Sequence, residues 1–85
     1  MKEFKYVITD AEGIHARPAG ELVKAAKEFS SKITIIKDGK SGNCKKIFGV
    51  MALAVKCGNE VTITVEGEDE EAAAAKIEEF MKSNM

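Results

Sequence analysis

The chain has 85 residues, enough for one domain with a single modest core, so residues 1–85 are expected to form one domain. It carries 14 acidic and 13 basic residues, and the net charge of −1 gives no sign of a surface for nucleic acid or membranes. No apolar run approaches the length of a membrane span and no signal peptide follows Met1, so we expect a cytoplasmic protein that does not insert into membranes.

The first predicted element is a strand over residues 2–9, in which Phe4, Tyr6 and Ile8 alternate with mostly polar residues. This alternation is typical of a strand that is half buried against a core. The strand is interrupted before Gly13, a residue that permits backbone angles that other residues avoid.

The first helix is predicted from about Ala16 to Phe29, because an apolar arc lies opposite a polar one at helical spacing. Pro18 is tolerated in the first turn, where N–H groups have no intrahelical partner. Gly20 costs about 1 kcal/mol relative to alanine in a helix interior, which indicates either close approach by a partner or neutral drift. The apolar arc contains Ala19, Leu22, Val23, Ala26 and Phe29, and the polar arc contains Arg17, Gly20, Glu21, Lys24, Lys27 and Glu28.

The only histidine, His15, lies just before or in the first turn of this helix, where orphan N–H groups and the positive end of the helix dipole gather. Such a place suits an anion, phosphate above all, and its positive potential favours the neutral, nucleophilic imidazole. Arg17 offers a guanidinium fork that matches phosphoryl oxygens. The pattern predicts a nitrogen that accepts a phosphoryl group; a structural or surface histidine beside a solvated arginine is the alternative.

The two cysteines, Cys44 and Cys57, are too few for a disulfide framework, and their separation matches no zinc motif. A domain with one histidine cannot by itself form a His-based metal site. We therefore expect reduced thiols that fill space, with neither a metal nor a cofactor.

β-Branched residues predict a second strand over residues 32–37, and Asp38-Gly39 predicts a type I′ hairpin turn into a third strand. The third strand is predicted to end near Cys44 and, being short, polar and lysine-bearing, is typical of a sheet edge.

The apolar run from Ile47 to Leu53 lacks alternation, which favours a helix of about two turns over a strand. One helix face cannot bury all of its apolar residues, so some are expected to be exposed as a docking surface, with burial in the core as the alternative. The candidates for exposure are Ile47, Phe48 and Met51.

The clearest strand is residues 60–66, and Asp69 is predicted to cap a final helix that runs to about Lys82. The buried stripe of that helix is predicted to contain Ala73, Ile77, Phe80 and Met81. The order β-α-β-β-α-β-α predicts an α+β open-faced β-sandwich, a four-stranded, mainly antiparallel sheet with three helices on one face.

Along essentially its whole length the chain resembles the HPr family, the histidine-containing phosphocarrier proteins of the bacterial phosphoenolpyruvate–sugar phosphotransferase system. The resemblance rests on residues 13–19, on residues 45–53, and on residues 61–67 followed by an acidic helix start. It implies a phosphoryl relay in sugar transport and not an enzyme. His15 would accept a phosphoryl group from phosphorylated enzyme I and pass it to the A component of sugar permeases, and Arg17 would steady that group.

The resemblance also implies a docking face for these partners. Its apolar centre would contain Ile47, Phe48 and Met51, and its basic rim Arg17, Lys24, Lys27 and Lys45. Glu21 and Glu28 fall on the same helical arc and should soften the rim. The residues expected to touch partners are Ala16, Gly20, Lys24, Lys27, Lys45, Ile47, Phe48 and Met51.

One position departs from the family. HPr proteins of Gram-positive bacteria usually have a regulatory serine, phosphorylated by a dedicated kinase, where this chain has Lys46. Lysine has no hydroxyl to modify, so we expect no regulatory serine at this position. Lysine also cannot cap the short helix as serine does, a loss of about 1 kcal/mol.

Two other functions are considered. The first is a paralogous HPr-like regulator, or a carrier of a nitrogen-related or other phosphotransferase branch, still phosphorylated on His15. The second is a small module that binds a ligand or RNA; it is less favoured, because the strands show no exposed aromatic platform and the chain has no GxxG clamp. We expect a monomer that binds no nucleic acid.

Overall fold

A computed structural model describes residues 1–11, 13–14 and 16–84. The described part of the chain contains seven elements in the predicted order β-α-β-β-α-β-α. The strands are β1 (Lys2–Val7), β2 (Lys32–Lys37), β3 (Lys40–Asn43) and β4 (Glu60–Glu66), and the helices are α1 (Ala16–Ala26), α2 (Ile47–Met51) and α3 (Glu70–Asn84).

The four strands within the described residues form one sheet in the order β1-β4-β2-β3, and every neighbouring pair is antiparallel. The regularly alternating β4 is a central strand, whereas the short β3 lies at an edge, as predicted. In the turn between β2 and β3, Asp38 and Gly39 have φ values of 50° and 79°. Two positive φ values in succession are what a type I′ turn requires, so the predicted hairpin is confirmed.

The core lies between one face of the sheet and the three helices. Val61, Ile63 and Val65 of β4 are fully buried, while the threonines between them face the other, more open side. The helices contribute to the same cluster with Leu22, Val50 and Ile77, among others. Burying an aliphatic side chain of this size contributes about 1.5–3 kcal/mol. The α+β open-faced β-sandwich is therefore confirmed, with a wholly antiparallel sheet among the described strands.

Helix α1 ends three residues earlier than predicted, at Ala26 and not at Phe29. The next turn tightens, because the N–H groups of Glu28 and Phe29 donate to carbonyls three residues back. The chain cannot continue as a helix, since the backbone N–H groups of Ser30 and Ser31 donate to the Asp69 carboxylate. That carboxylate was predicted to cap α3; instead it binds the turn that follows α1.

Helix α2 is also shorter than predicted, five residues that end at Met51 and not at Leu53. Ala54 takes a positive φ of 50°, and the ammonium group of Lys37 donates to the carbonyl oxygens of Leu53 and Ala54 at 3.2 Å each. The lysine thus satisfies carbonyls that a continuing helix would have used. Helix α3 extends slightly beyond the predicted end, to Asn84.

Gly20 in the interior of α1 lies beside α2, and a methyl group placed on it would lie 3.9 Å from Cδ1 of Ile47, an ordinary van der Waals contact. Gly20→Ala is therefore expected to raise the free energy of unfolding by about 0.5–1 kcal/mol, because alanine is the better helix former. Urea denaturation measures this gain. The exposed Ala75 in α3 provides the matched control, since Ala75→Gly should lose a similar amount. A less stable Gly20→Ala variant would contradict the prediction.

Candidate functional site

The predicted phosphoryl acceptor, His15, lies outside the described residues, so its role stays a prediction. The two residues before it are described and firmly attached. The backbone N–H of Ile14 donates to the carbonyl oxygen of Val55 at 3.0 Å, and that of Gly13 donates to Asp10 at 2.9 Å. The Ile14 side chain is buried in the core. The segment that leads to the candidate site is thus fixed to the body of the protein.

Gly13 allows this attachment because it has no side chain. Its φ is +69°, and a methyl group there would collide with the carbonyl oxygen of Val55 and the Cα of Lys56. The predicted need for unusual backbone angles at Gly13 is confirmed. The opposing segment, residues 54–56, was missed by the sequence analysis; its positive φ falls on Ala54, an alanine that gives no turn signal.

The start of α1 is open to an anion. Ala16 is its first residue and is exposed, Arg17 is exposed, and Pro18 turns inward and is buried. The first turn itself, residues 16–19, contains no acidic residue. The Arg17 guanidinium makes no hydrogen bond or ion pair with the other described residues. Helix N–H groups and an arginine are groups that can bind a phosphoryl group, so the role of Arg17 stays a prediction that this arrangement permits.

Helix α2 presents the expected apolar patch. Phe48 is 85% exposed and Met51 is 40% exposed, whereas Ile47 is half-buried beside Gly20. The helix is held by Val50, which is fully buried and faces the core. Exposure of Phe48 and Met51 is confirmed; their contact with a partner stays a prediction.

Lys45 was expected to be an exposed cation of the basic rim, but its ammonium group is bonded within the fold. Its ammonium group donates to the carbonyl oxygen of Phe29 at 2.7 Å, and its backbone N–H donates to Oδ1 of Asn43 at 2.8 Å. The side chain is half-buried and ties the chain before α2 to the end of α1. Because this cation is committed within the fold, Lys45 is a weaker candidate for the rim than its sequence position suggested.

The exposed charges of α1 and of the turn after it share one arc. At about 100° per residue, Lys24 and Lys27 lie within about 40° of Gly20, which contacts α2, and Glu21 and Glu28 lie about 80–100° from Gly20, on the same side as Lys24. Lys24 is three residues from Glu21 and four from Glu28, spacings at which side chains on a helix are neighbours. The expectation that Glu21 and Glu28 lower the positive charge of the basic rim therefore stays a prediction.

Lys46 is the residue before α2, and its side chain is exposed. It has an extended backbone, with φ −129° and ψ 119°, and its side chain makes no capping hydrogen bond. The expected absence of a cap is confirmed, and relative to serine it costs about 1 kcal/mol.

The two thiols differ in environment. Cys44 is fully buried, and burial raises its pKa to about 12, so it stays protonated at neutral pH and fills space as predicted. Cys57 is exposed, and its thiol lies 3.8 Å from the carbonyl oxygen of Thr9, so the prediction that it fills space in the core is wrong for this residue.

Among the described residues no three Cys, Asp or Glu side chains form a group that could hold a metal ion. None of the described helices is both long and apolar enough to span a bilayer.

Comparison with known proteins identifies the family to which the chain is similar. The sequence family described as the PTS HPr component phosphorylation site matches residues 2–83. The phosphocarrier protein HPr of Mycoplasma capricolum is 49% identical over 81 residues, which cover 95% of this chain and 91% of that protein.

Solved structures agree with the sequence match. A mycoplasma histidine-containing phosphocarrier protein superposes with a TM-score of 0.94 at 48% identity, covering 96% of this chain and 93% of its own. A crystal structure of HPr from Thermoanaerobacter tengcongensis gives a TM-score of 0.93 at 43% identity and covers 98% and 93% of the two chains. Neither alternative function is supported by these matches. The chain belongs to the HPr family of phosphocarriers of the phosphotransferase system.

Proposed function

We propose that His15 carries the phosphoryl group, accepting it from phosphorylated enzyme I and passing it to the A component of sugar permeases. One observation carries the proposal: the family described by its phosphorylation site matches residues 2–83. The start of α1 beside position 15 supports it, because Ala16 and Arg17 are exposed and the first turn has no acidic residue. The protein would act in the cytoplasm.

The chemistry requires little machinery on the carrier. A neutral imidazole nitrogen attacks the phosphorus, the bond to the donor breaks, and the nitrogen–phosphorus bond forms. Negative charge on the transferred oxygens is then met by helix N–H groups and by the Arg17 guanidinium. The chain has no nucleotide-binding loop of the GxxxxGK[ST] type, so the donor must bring the activated phosphoryl group.

A relay must also release what it accepts. An exposed helix start stabilises the phosphoryl group by a few charge-assisted contacts without enclosing it, which keeps its transfer to a second protein possible. The exposed Phe48 and Met51 support a docking role for α2, since a large apolar side chain that is left in water gains most from a partner.

The experiment is phosphorylation by purified bacterial enzyme I and labelled phosphoenolpyruvate. We expect the wild-type protein to acquire one label that is stable in base and labile in acid, as a phosphohistidine is, and His15→Ala to acquire none. His15→Ala must show wild-type urea denaturation, so that the lost label reports chemistry and not unfolding. Label retained in the folded His15→Ala variant, or no label on the wild type where a standard HPr is labelled, would refute the proposal.

Transfer from the labelled protein to a sugar permease A component separates a sugar carrier from a carrier of another branch.

We also propose that Lys46 leaves the protein without serine regulation at this position. A monomer remains our proposal, although another structure from Thermoanaerobacter tengcongensis, with a TM-score of 0.78 at 43% identity, is that of an HPr dimer. Light scattering of the purified protein tests the oligomeric state.

A further inference from the structure

The cation nearest in sequence to the exposed Phe48 that is free to meet a partner is Lys46. Its side chain is exposed and makes no hydrogen bond or ion pair with the described residues. Lys45, the residue expected in this role, has its ammonium group on the carbonyl oxygen of Phe29. Lys46 is therefore a stronger candidate than Lys45 for a cation that contacts a partner.

The contacts on either side of Lys46 fix where it lies. Lys45 is attached to Phe29, just beyond the end of α1, and Ile47 lies beside Gly20 in the first half of α1. The chain from 45 to 47 thus runs alongside α1, on the flank that carries its exposed lysines. Lys46 joins that basic flank to the apolar patch.

No contact among the described residues accounts for a lysine at this position. A residue that precedes a helix stabilises it by accepting hydrogen bonds from the first N–H groups, which an ammonium group cannot do. Lys46 makes no such bond, and its positive charge lies beside N–H groups that favour an anion. A cation held where it does not stabilise the fold points to a role in contact with another molecule.

The charge of this face identifies the chemistry of that molecule. Four cations of α1, of the turn after it and of the residue before α2 are exposed, Arg17, Lys24, Lys27 and Lys46, and none is paired with another described residue. Counted against the exposed Glu21 and Glu28 of the same arc, they leave a net positive charge here, whereas the whole chain has a net charge of −1. A surface of this kind is complementary to a protein surface with carboxylates around an apolar recess.

We propose that Lys46 is a recognition residue: when phosphorylated enzyme I covers Phe48, Lys46 pairs with a carboxylate on the surface of enzyme I. This proposal rests on the proposed function. Because the pair lies at an exposed rim, its main effect is on the rate of encounter and on partner choice, not on the chemical step.

The test compares Lys46→Gln, Lys46→Glu and Lys5→Gln in phosphoryl transfer from purified enzyme I. Lys5 is an exposed lysine of β1 whose side chain points to the open face of the sheet, away from the helices. At about 0.05 M salt we expect kcat/KM to fall about threefold for Lys46→Gln and about tenfold for Lys46→Glu, with kcat unchanged. The differences should vanish near 0.5 M salt, and Lys5→Gln should match the wild type.

The outcomes separate this proposal from the one on which it rests. A wild-type protein that takes no label refutes both. A labelled wild type whose Lys46→Glu variant behaves as Lys5→Gln does, or keeps its deficit at high salt, refutes the role of Lys46 alone. A wild-type dimer that Lys46→Glu dissociates would show that a second copy covers the face, and would also overturn the proposal. Urea denaturation should find both Lys46 variants at least as stable as the wild type, because glutamine and glutamate can accept the bonds that lysine cannot.

Discussion

Gly13→Ala is expected to lose about 2–5 kcal/mol of unfolding free energy, because a side chain at this position is opposed both by the backbone angle and by its neighbours. The positive φ of 69° costs a residue other than glycine about 1–2 kcal/mol. The collision with the backbone of Val55 and Lys56 forces a shift that adds about 1–3 kcal/mol. A domain of this size is stable by roughly 4–13 kcal/mol, so the loss is large.

Two other glycines separate these costs. Gly58 has a φ of +88° and open space around it, so Gly58→Ala should show the backbone cost alone. Gly42 has no positive φ, but a methyl group there would collide with the carbonyl oxygen of Gly49, so Gly42→Ala should show the steric cost alone. Urea denaturation should place Gly13→Ala below both. A Gly13→Ala protein as stable as Gly58→Ala would disprove the tight packing of residue 13 on residues 55–56.

The same substitution should slow phosphoryl acceptance. The bond from Ile14 N–H to Val55 fixes the chain immediately before position 15, and any shift of Gly13 displaces it. A displacement of about 1 Å in positioning can cost about a hundredfold in rate. Label uptake from enzyme I should therefore fall further for Gly13→Ala than for Gly42→Ala, which perturbs the contact between β3 and α2 instead.

Local patterns predicted the fold well because its elements are locally consistent. The alternation in residues 60–66 determines which face of β4 is buried, and Asp38-Gly39 is a turn that few other conformations use. The exposure of Phe48 followed from counting more apolar residues than a short helix can bury. Each of these features depends on residues that are neighbours in sequence.

The features that sequence did not reveal depend on contacts between distant residues. The early end of α1 is fixed by Asp69, 38 residues beyond Ser31, and the ammonium group of Lys45 is taken by Phe29, 16 residues away. By local rules, an aspartate just before a helix is predicted to cap that helix. Asp69 instead lies next to the turn after α1, where Ser30 and Ser31 donate hydrogen bonds to its carboxylate. The set of lysines available for the basic rim differs from the predicted set for the same reason. Only the tertiary structure shows that the ammonium group of Lys45 is already hydrogen-bonded within the fold.

Asp69→Asn is expected to destabilise the protein above pH 4 and to remove part of its acid sensitivity. The carboxylate accepts hydrogen bonds from the hydroxyl of Ser31 and from the backbone N–H groups of Ser30 and Ser31, at 2.9 and 3.0 Å for the latter two. Ser31 is almost fully buried, so its groups have no water to replace this partner. An asparagine replaces one acceptor oxygen by an NH₂ group, which cannot accept from these donors.

The pH dependence follows from the ionised form of this carboxyl. The Ser31 hydroxyl, followed by the Ser30 N–H, lowers the pKa of Asp69 below its ordinary value of 3.8. A lowered pKa means that the stabilisation is complete above the unfolded value and is lost as the pH falls through the folded one. The stability gap between wild type and Asp69→Asn should therefore be constant from pH 7 to about pH 5 and should shrink below about pH 4.

Urea denaturation from pH 7 to pH 2 measures this gap, with Glu68→Gln as the matched control. Glu68 is an exposed neighbouring carboxylate that makes no hydrogen bond or ion pair with the described residues, so its variant should follow the wild type. Glu70, whose pKa is lowered first by its bond to the N-terminal amine, titrates in both proteins and cancels from the difference. A gap that does not change with pH would mean that the neutral carboxyl holds Ser31 as well as the carboxylate does. The Asp69 charge would then have no part in fixing the turn after α1.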